Sequence, residues 1–394
     1  MQFDFPNEEG KPYKSSGGAM VWNEKLKREI PDGWNNCTLE HFLTIKNGRD
    51  HKHLASGLHP VYGSGGEMRR VNESLYTGES VLMPRKGTLN NIMYVNETFW
   101  TVDTMFYSEI DTTKVFPKFL YYQLTLVDFE NLNVGSAVPS LTIPIINDID
   151  ISLPPLPEQI RIASILSSLD DKIDLLHREN KTLEAMAETL FRQWFIEEAK
   201  EDWEEGTIAD FAEHYKASVN PRNNLIEMYY HYSIPAFDTG KEPILEQGEN
   251  IQSNKYLVPK NCILFSKLNP HKDKRVWIML DDIPDNAICS TEFQIVKPTN
   301  LEYLYFLYGW LTNKENYDEI ASGVGGTSGS HQRIDPKTIF SYSCPQVDMK
   351  TIRNYNKCVE PLFYKQRNNQ QQIQTLIQQR DSLLPKLMSG EVKI

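Results

Sequence analysis

Two groups of basic and amide side chains, one in each half of the chain, have the residue types that contact nucleic acid. Arginine can donate two hydrogen bonds to guanine, lysine more often meets a phosphate, and asparagine or glutamine can pair with adenine. The first group lies in turn-rich sequence and consists of Lys46, Arg49, Lys52, Arg69, Arg70, Arg85, Lys86, Asn90 and Asn91. The second consists of Lys267, Lys272, Lys274, Arg275, Gln332 and Arg333. We predict that both groups bind DNA, with Arg49, Arg85, Asn90 and Asn91 as base readers; an ordinary surface position is the commoner explanation for each residue taken singly.

The sequence patterns that mark catalysis were sought and not found. An adenine methyltransferase would need an Asn/Asp-Pro-Pro-aromatic loop and a glycine-rich cofactor turn, and the chain has neither. The glycine runs at 63–66 and 323–326 lack the GK[ST] ending of a phosphate-binding loop. His51, His53 and His59 lie close together, but no HExxH motif or paired cysteine supports a metal site. We therefore predict a non-catalytic protein with no catalytic residue, no metal and no cofactor of its own.

The charge and the cysteines limit where the chain works and what it binds. The formal charge of −12 argues against simple electrostatic binding of nucleic acid, so the local distribution of Lys and Arg has to decide. Five scattered cysteines indicate neither a disulfide framework nor a zinc site, which suits a reducing compartment. The polar N-terminus lacks the apolar core of a signal peptide, and the longest apolar stretch, 301–311, is too short to cross a bilayer. These features predict a soluble cytoplasmic protein.

Two long helices are the elements that must position the two groups. Apolar residues recur every seven residues in two offset series over about 157–198, which is typical of a coiled-coil seam. The predicted seam consists of Ile162, Leu166, Leu169, Ile173, Leu176, Asn180, Leu183, Leu190 and Trp194, with Ile373, Ile377 and Leu384 in the second helix. Asn180 is either a buried amide that fixes the register or a solvated residue. The glutamine-rich run before Ile373 favours a polar-faced helix over a low-complexity segment, and Pro385 should kink or end that helix.

The regions before the two helices correspond to each other. Trp34, Thr38 and Phe42 match Trp203, Thr207 and Phe211 at one offset, and a later set, Gly135, Ile143 and Pro154, matches Gly326, Ile334 and Pro345 at a larger one. The chain is therefore predicted to be an internal duplication, with an insertion of about twenty residues in the second copy. Short β-rich runs separated by Gly, Asn and Asp turns fill each copy, and a short helix follows at 117–126 and at 301–311.

The predicted fold class is α+β, with two mixed recognition domains separated by two long antiparallel coiled-coil helices and related by a pseudo-twofold axis. The predicted borders are a linker-like segment at 1–30, a first recognition domain at 31–155 and a central helix at 156–200. A second recognition domain follows at 201–346, and a C-terminal helix at 347–394.

These segments resemble a known family. Residues 153–195 are similar to the central conserved region of the specificity (HsdS) subunits of type I restriction-modification systems, and residues 374–394 resemble their C-terminal conserved region. IPDGW, PVYGSGG, VLMPRKGTLNN and FWTVDTMFY resemble framework segments of their target recognition domains. The resemblance implies a subunit that reads a bipartite double-stranded DNA target and binds two methyltransferase subunits and, through them, two restriction subunits. S-adenosylmethionine, ATP and Mg²⁺ would then belong to those partners, and the helices would set the unread spacer.

Three further interpretations remain open. The opening segment resembles the linker that, in many family members, precedes the second recognition domain, which suggests shuffled domains or a missing upstream portion. A helical scaffold whose duplicated domains bind proteins is the alternative function, and the acidic charge favours it. A recognition subunit of a related fused restriction system would differ only in its partner.

Overall fold

The computed structural model describes residues 20–24, 27–135, 138–325 and 332–392. They form two compact units: unit 1 combines the residues up to Leu176 with those from Gln371 onward, and unit 2 is His177–Gln370. Both borders fall inside the long helices, so the predicted domain borders stay predictions. Most of the linker-like segment, Gly326 and the loop at 328–331 lie outside the described residues.

Unit 1 contains one six-stranded mixed sheet and two two-stranded ribbons. Its strands are β1 (Met20–Asn23), β2 (Arg28–Pro31), β3 (Asn35–Thr38), β4 (Leu43–Asn47), β5 (Ser56–Gly63), β6 (Gly66–Val71), β7 (Tyr76–Pro84), β8 (Met93–Thr101), β9 (Met105–Ile110) and β10 (Asp150–Leu153), and its helices are α1 (Pro117–Thr125), α2 (Ile143–Asn147) and the start of α3 (Leu156–Arg192). Six strands pair in the order β4-β9-β7-β8-β5-β6, with β5 parallel to β8. Val81, Leu82 and Met83 of β7 are fully buried, as expected of a central strand covered on both faces.

Unit 2 carries two sheets. Its strands are β11 (Glu205–Thr207), β12 (Ala212–Tyr215), β13 (Ser218–Val219), β14 (Met228–Tyr232), β15 (Ile244–Gln247), β16 (Lys255–Leu257), β17 (Cys262–Ser266), β18 (Val276–Met279), β19 (Ala287–Cys289), β20 (Phe293–Pro298), β21 (Val324–Gly325), β22 (Arg333–Ile334) and β23 (Ser343–Pro345). Its helices are the part of α3 from His177 onward, α4 (Ile208–Phe211), α5 (Ile234–Asp238), α6 (Leu304–Thr312), α7 (Lys314–Ser322), α8 (Pro336–Phe340) and the part of α9 (Met349–Ser389) up to Gln370. One sheet has the order β12-β20-β17-β18, and the other has the order β13-β16-β19-β14-β15.

The two units repeat one topology, which confirms the predicted duplication and fold class. The order β12-β20-β17-β18 reproduces the order β4-β9-β7-β8, and β14 runs parallel to β19 as β5 does to β8. A two-stranded ribbon joins the beginning of each domain to its end: β3 pairs with β10, and β11 pairs with β23. Two strands lie between β4 and β7, whereas four lie between β12 and β17, so the extra sequence of the second copy falls largely there.

The later set of predicted matches was shifted by two residues. Cys37 and Gly206 correspond through the tryptophan match, and they pair with Ile151 and Cys344 respectively. The predicted offset would have placed Ile151 against Tyr342 instead. Single apolar residues cannot fix an alignment to that accuracy, because isoleucine occurs at several neighbouring positions; the register of the ribbon can.

Both long helices form where they were predicted. Helix α3 continues through a π-helical turn at Gln193–Glu197, and α9 runs without interruption through the glutamine-rich segment. Of the two predicted effects of Pro385, a kink or an end, the end was wrong, since α9 extends to Ser389, and the kink stays a prediction. None of the helices in the described part of the chain combines the length and apolar character needed to span a membrane.

The helices pair in antiparallel fashion within each unit. In unit 1, Asp170 accepts a hydrogen bond from Arg380 at 2.9 Å, while Ile173 packs with Ile373 further along α3. The residue numbers of the contacting residues in α9 decrease as those in α3 increase, so the two helices run antiparallel. The predicted seam residues are buried or half-buried throughout. Those at the outer ends, such as Ile162 in unit 1, also pack into the domain core.

Asp348 caps the start of α9, and its removal should weaken unit 2. Its carboxylate accepts hydrogen bonds from Thr351 N at 2.9 Å and from Lys200 Nζ at 2.7 Å. Chiefly because of the bond from Lys200, the pKa of Asp348 lies below its ordinary range. Asp348→Ala should lower the free energy of unfolding by about 1 kcal/mol at pH 7.

The lowered pKa of Asp348 also predicts how the free energy of unfolding of unit 2 changes with pH. A depressed pKa stabilises the folded state fully above the unfolded-state value of about 4, and the contribution decreases below that value until it is lost as the pH falls through the lower folded-state pKa. Urea denaturation should therefore show a larger difference between parent and Asp348→Ala at pH 7 than at pH 3. Asp348→Asn, which keeps a capping oxygen, is the matched control; an equal loss in both variants would show that capping contributes nothing.

Candidate nucleic-acid interface

Four loops meet at one end of the unit 1 sheet: residues 48–55, 63–66, 85–92 and 102–104, here called the basic loop cluster. Arg49 N donates to Thr101 O at 2.8 Å, and Arg85 N donates to Thr104 O at 2.8 Å. The Asn91 side chain donates to Ser64 O at 2.6 Å. These bonds hold loops from distant parts of the sequence at the same end of the sheet. Most residues of the first predicted group therefore lie close together.

Several members of the first group have structural partners. Arg69 donates to Leu54 O at 2.6 Å, and Arg70 forms an ion pair with Glu67 at 2.9 Å. Asn90 Oδ1 accepts the Phe129 backbone N–H at 3.0 Å, Asn91 holds the loop at Ser64, and Lys46 lies 3.5 Å from Glu109. The bonds already made restrict how far each of these side chains can move toward a ligand, although arginine and asparagine keep further donors. These residues are therefore better suited to shaping the loops than to entering a groove.

Four cationic side chains of the basic loop cluster have no hydrogen-bond or ion-pair partner among the described residues. Within the described part of the chain, no hydrogen bond or ion pair engages the side chain of Arg49, Lys52, Arg85 or Lys86. Arg85 is half-buried and the other three are exposed. Cations that are uncompensated and held on fixed loops are what contact with phosphates or base edges requires. That these four bind DNA stays a prediction.

The second predicted group also contains side chains with structural partners and side chains that have none among the described residues. Arg275 is almost enclosed, with 11% of its side chain exposed, and it forms a two-bond ion pair with Asp238 and a further pair with Asp273. Arg333 makes two bonds to Glu292, at 3.0 and 2.9 Å, and Lys274 donates to Thr312 O at 2.8 Å. Among the residues the structure covers, the side chains of Lys267, Lys272 and Gln332 have no such partner.

A cleft of about 1060 Å³ lies in unit 2 beside the run at 271–275. Strand β18, the loop at 237–241 and the facing parts of α3 and α9 line it. Its arginines are neutralised: Arg275 by Asp238 and Asp273, and Arg367 by Asp282. Paired charges of both signs make this cleft less basic than its lysine-rich rim suggests.

The histidines do not form a metal centre among residues 20–24, 27–135, 138–325 and 332–392, where no group of three or more His, Cys, Asp or Glu could hold an ion. His59 instead shares a hydrogen bond of 2.6 Å with Thr98, and His53 packs edge-on against Trp100. All five cysteines are free thiols. Burial raises the pKa of the Cys262 and Cys289 thiols, so their thiolate forms are disfavoured.

The sequence reasoning missed two residues. Asn369 is fully buried, and its amide donates to Asn180 Oδ1 and to Glu179, both at 2.9 Å, so Asn180 has a polar partner across the helix pair. Its position four residues before Ile373 places Asn369 on the seam and could have revealed it. Glu292 is the other; nothing local in the sequence shows that it neutralises Arg333.

The comparisons with known proteins match this architecture. Residues 31–185 match the family described as the type I restriction modification DNA specificity domain. The chain is 27% identical over 377 residues to the MjaIX specificity subunit of Methanocaldococcus jannaschii, covering 85% of this chain and 84% of that one. It is also 35% identical over 136 residues to a putative type I specificity subunit of Mycoplasma pneumoniae, covering 32% of this chain and 44% of that one.

A solved structure shares the fold. The S subunit of a type I restriction-modification system from M. genitalium superposes with a TM-score of 0.62 at 17% identity, covering 90% of this chain and 96% of that one. The duplicated domains and paired helices thus have the fold of that S subunit. The sequence relatives that the chain matches are named as type I specificity subunits, and its family match covers residues 31–185.

Proposed function

We propose that each unit reads one half of a bipartite DNA target for a type I restriction-modification complex. The duplicated sheet carries this proposal, because two copies of one recognition fold in a single chain suit two half-sites. Arg49, Lys52, Arg85 and Lys86 supply uncompensated positive charge in unit 1, and Lys267 and Lys272 supply it in unit 2. They offer DNA contacts in a chain whose net charge is −12.

The two long helices are proposed to set the unread spacer and to bind two methyltransferase subunits, which in turn carry two restriction subunits. At 1.5 Å per residue, helices of 37 and 41 residues are about 55 to 60 Å long, more than one turn of DNA. In unit 1, Ile160 and Leu175 of α3 are 42% and 48% exposed, which leaves apolar surface for a partner. S-adenosylmethionine, ATP and Mg²⁺ are proposed to bind to the partner subunits.

The competing proposal is a scaffold that binds proteins through its duplicated domains. The acidic net charge favours it. A fused restriction system would share the DNA-reading role and differ only in its partner.

Mapping adenine methylation across the source genome, with and without this gene, separates these functions. The proposal predicts that a split motif, two short specified halves around a fixed unspecified spacer, loses its methylation when the gene is deleted and regains it on complementation. An unchanged methylation pattern in a strain that expresses the partner methyltransferase would contradict DNA recognition and favour the scaffold.

Phosphate contacts by the basic loop cluster should be visible as salt dependence. In the complex with its methyltransferase partner, Lys52→Ala and Lys86→Ala should each weaken binding to all DNA sequences alike and reduce the slope of log affinity against log salt by about 1. Lys114→Ala is the matched control, because Lys114 already pairs with Asp111 at 3.0 Å. Slopes identical in all three variants would remove both lysines from the interface.

A further inference from the structure

The turn that follows the central strand is built in the same way in both units. In unit 1, Arg85 N donates to Thr104 O at 2.8 Å, and Arg85 O accepts from Leu141 N at 2.9 Å. In unit 2, Lys267 N donates to Glu292 O at 2.9 Å, and Lys267 O accepts from Ile334 N at 3.0 Å. Arg85 and Lys267 therefore occupy one structural position, which the duplication has kept in each domain.

The residue two positions further on strengthens this equivalence. Gly87 and Asn269 both have left-handed backbones, with φ of 93° and 47°, a conformation that glycine and asparagine adopt most readily. Gly87 N donates to Pro139 O at 3.3 Å, and Asn269 N donates to Gln332 O at 2.9 Å. The two turns thus agree in three backbone hydrogen bonds and in their left-handed residue.

In both units this turn carries a cationic side chain that has no partner among the described residues. Neither the Arg85 guanidinium nor the Lys267 ammonium forms a hydrogen bond or an ion pair with any described residue, whereas their backbones are held on both sides. A side chain on such a fixed backbone reaches a ligand with a smaller loss of conformational entropy than one on a free loop.

The surroundings of the cation differ between the copies. The positions of Thr104 and Ser140 in unit 1 are taken in unit 2 by Glu292 and Arg333, which bind each other. A small polar neighbourhood in one copy and a charged pair in the other would present different groups to DNA from the same backbone.

We propose that positions 85 and 267 are equivalent base-reading positions, one for each half of the target, and that the residues around them set which base pair each domain accepts. This inference rests on the proposed function. Arg85 can make the bidentate contact with guanine O6 and N7, and Lys267 can donate to the same acceptors. Since the two turns share their backbone geometry, the two residues contact corresponding base pairs of their half-sites.

The test maps the methylated motif in complexes of the full chain with its methyltransferase partner. Arg85→Ala should relax discrimination at one base pair of one half-site by about 5- to 150-fold, and Lys267→Ala should do so in the other half-site. The two relaxed base pairs should lie at the same distance from the methylated adenine of their own half. Arg85→Lys, which keeps the charge but loses the guanidinium fork, should also relax the motif.

Lys114→Ala and Lys260→Ala are the controls, because both lysines are surface residues near acidic partners outside these turns. Equal loss of affinity on every sequence would make positions 85 and 267 phosphate contacts and overturn the proposal. Relaxation at non-corresponding base pairs would overturn the equivalence while leaving the proposed function intact. Absence of any split motif for the parent complex would remove the proposed function, and this inference with it.

Discussion

Replacing Phe191 with alanine will lower the free energy of unfolding of unit 2 by about 3 to 5 kcal/mol. Phe191 stands near the end of α3 and is 1% exposed. Its ring contacts those of Phe195, Trp310 and Tyr355 at centroid distances of 5.2, 6.1 and 6.3 Å. The side chain joins α3 to α6 and α9, so its truncation leaves a cavity where three elements meet.

Chemical denaturation followed by tryptophan fluorescence and circular dichroism measures this loss. Met186→Ala is the matched control: it lies on the same helix within unit 2, and Met186 is 48% exposed. Its effect should stay within about 0.5 kcal/mol. Similar losses in the two variants would mean that helix propensity, not core packing, governs this part of α3.

Gly309→Ala should destabilise unit 2 by about 1 to 3 kcal/mol, although the same change in an exposed helix stabilises by about 1 kcal/mol. Gly309 lies inside α6, and a Cβ added there would be 2.1 Å from Cδ2 of Phe191. The ring of Phe191 is fully buried and packed on its other sides, so it has little room to move. Overpacking therefore outweighs the gain in helix propensity.

A double-mutant cycle tests that explanation. Phe191→Leu removes ring atoms next to Gly309 and should recover part of the loss caused by Gly309→Ala, giving a coupling energy of about 0.5 to 3 kcal/mol. The free energies of unfolding of parent, single and double variants supply the measurement. Additive losses would show that the added methyl group clashes with something other than Phe191.

These two residues also bear on function, because they anchor a predicted recognition domain to the helix that follows the other domain in the chain. A variant that loosens this anchor should lose discrimination at the half-site that unit 2 is proposed to read, even where both domains remain folded. The basic loop cluster belongs to unit 1, so discrimination at the half-site that unit 1 is proposed to read should persist.

Much of the architecture was predictable from the sequence. Heptad spacing located both long helices, short β-rich runs between turns located strands such as β7 and β17, and the tryptophan match at Trp34 and Trp203 revealed the duplication. These features depend on residues close together in the chain, whose periodicity reflects the geometry of a helix or strand. The exact correspondence between copies required the register of the ribbons.

The candidate site, like the architecture, was predictable from the sequence only in part. The sequence by itself determined which residue types were available: arginines, lysines and amides in turn-rich segments of both halves. Only the tertiary structure decided that Arg275 and Arg333 are held by carboxylates and that Arg69 binds a backbone carbonyl. It also decided that the side chains of Arg85 and Lys267, at one shared position, have no partner among the residues that the structure describes. The partners of the three bonded arginines lie up to 41 residues away in the chain, and no local pattern records such pairings. Chain folding brings charges together across the sheet, and the resulting hydrogen bonds determine which side chains remain available to DNA.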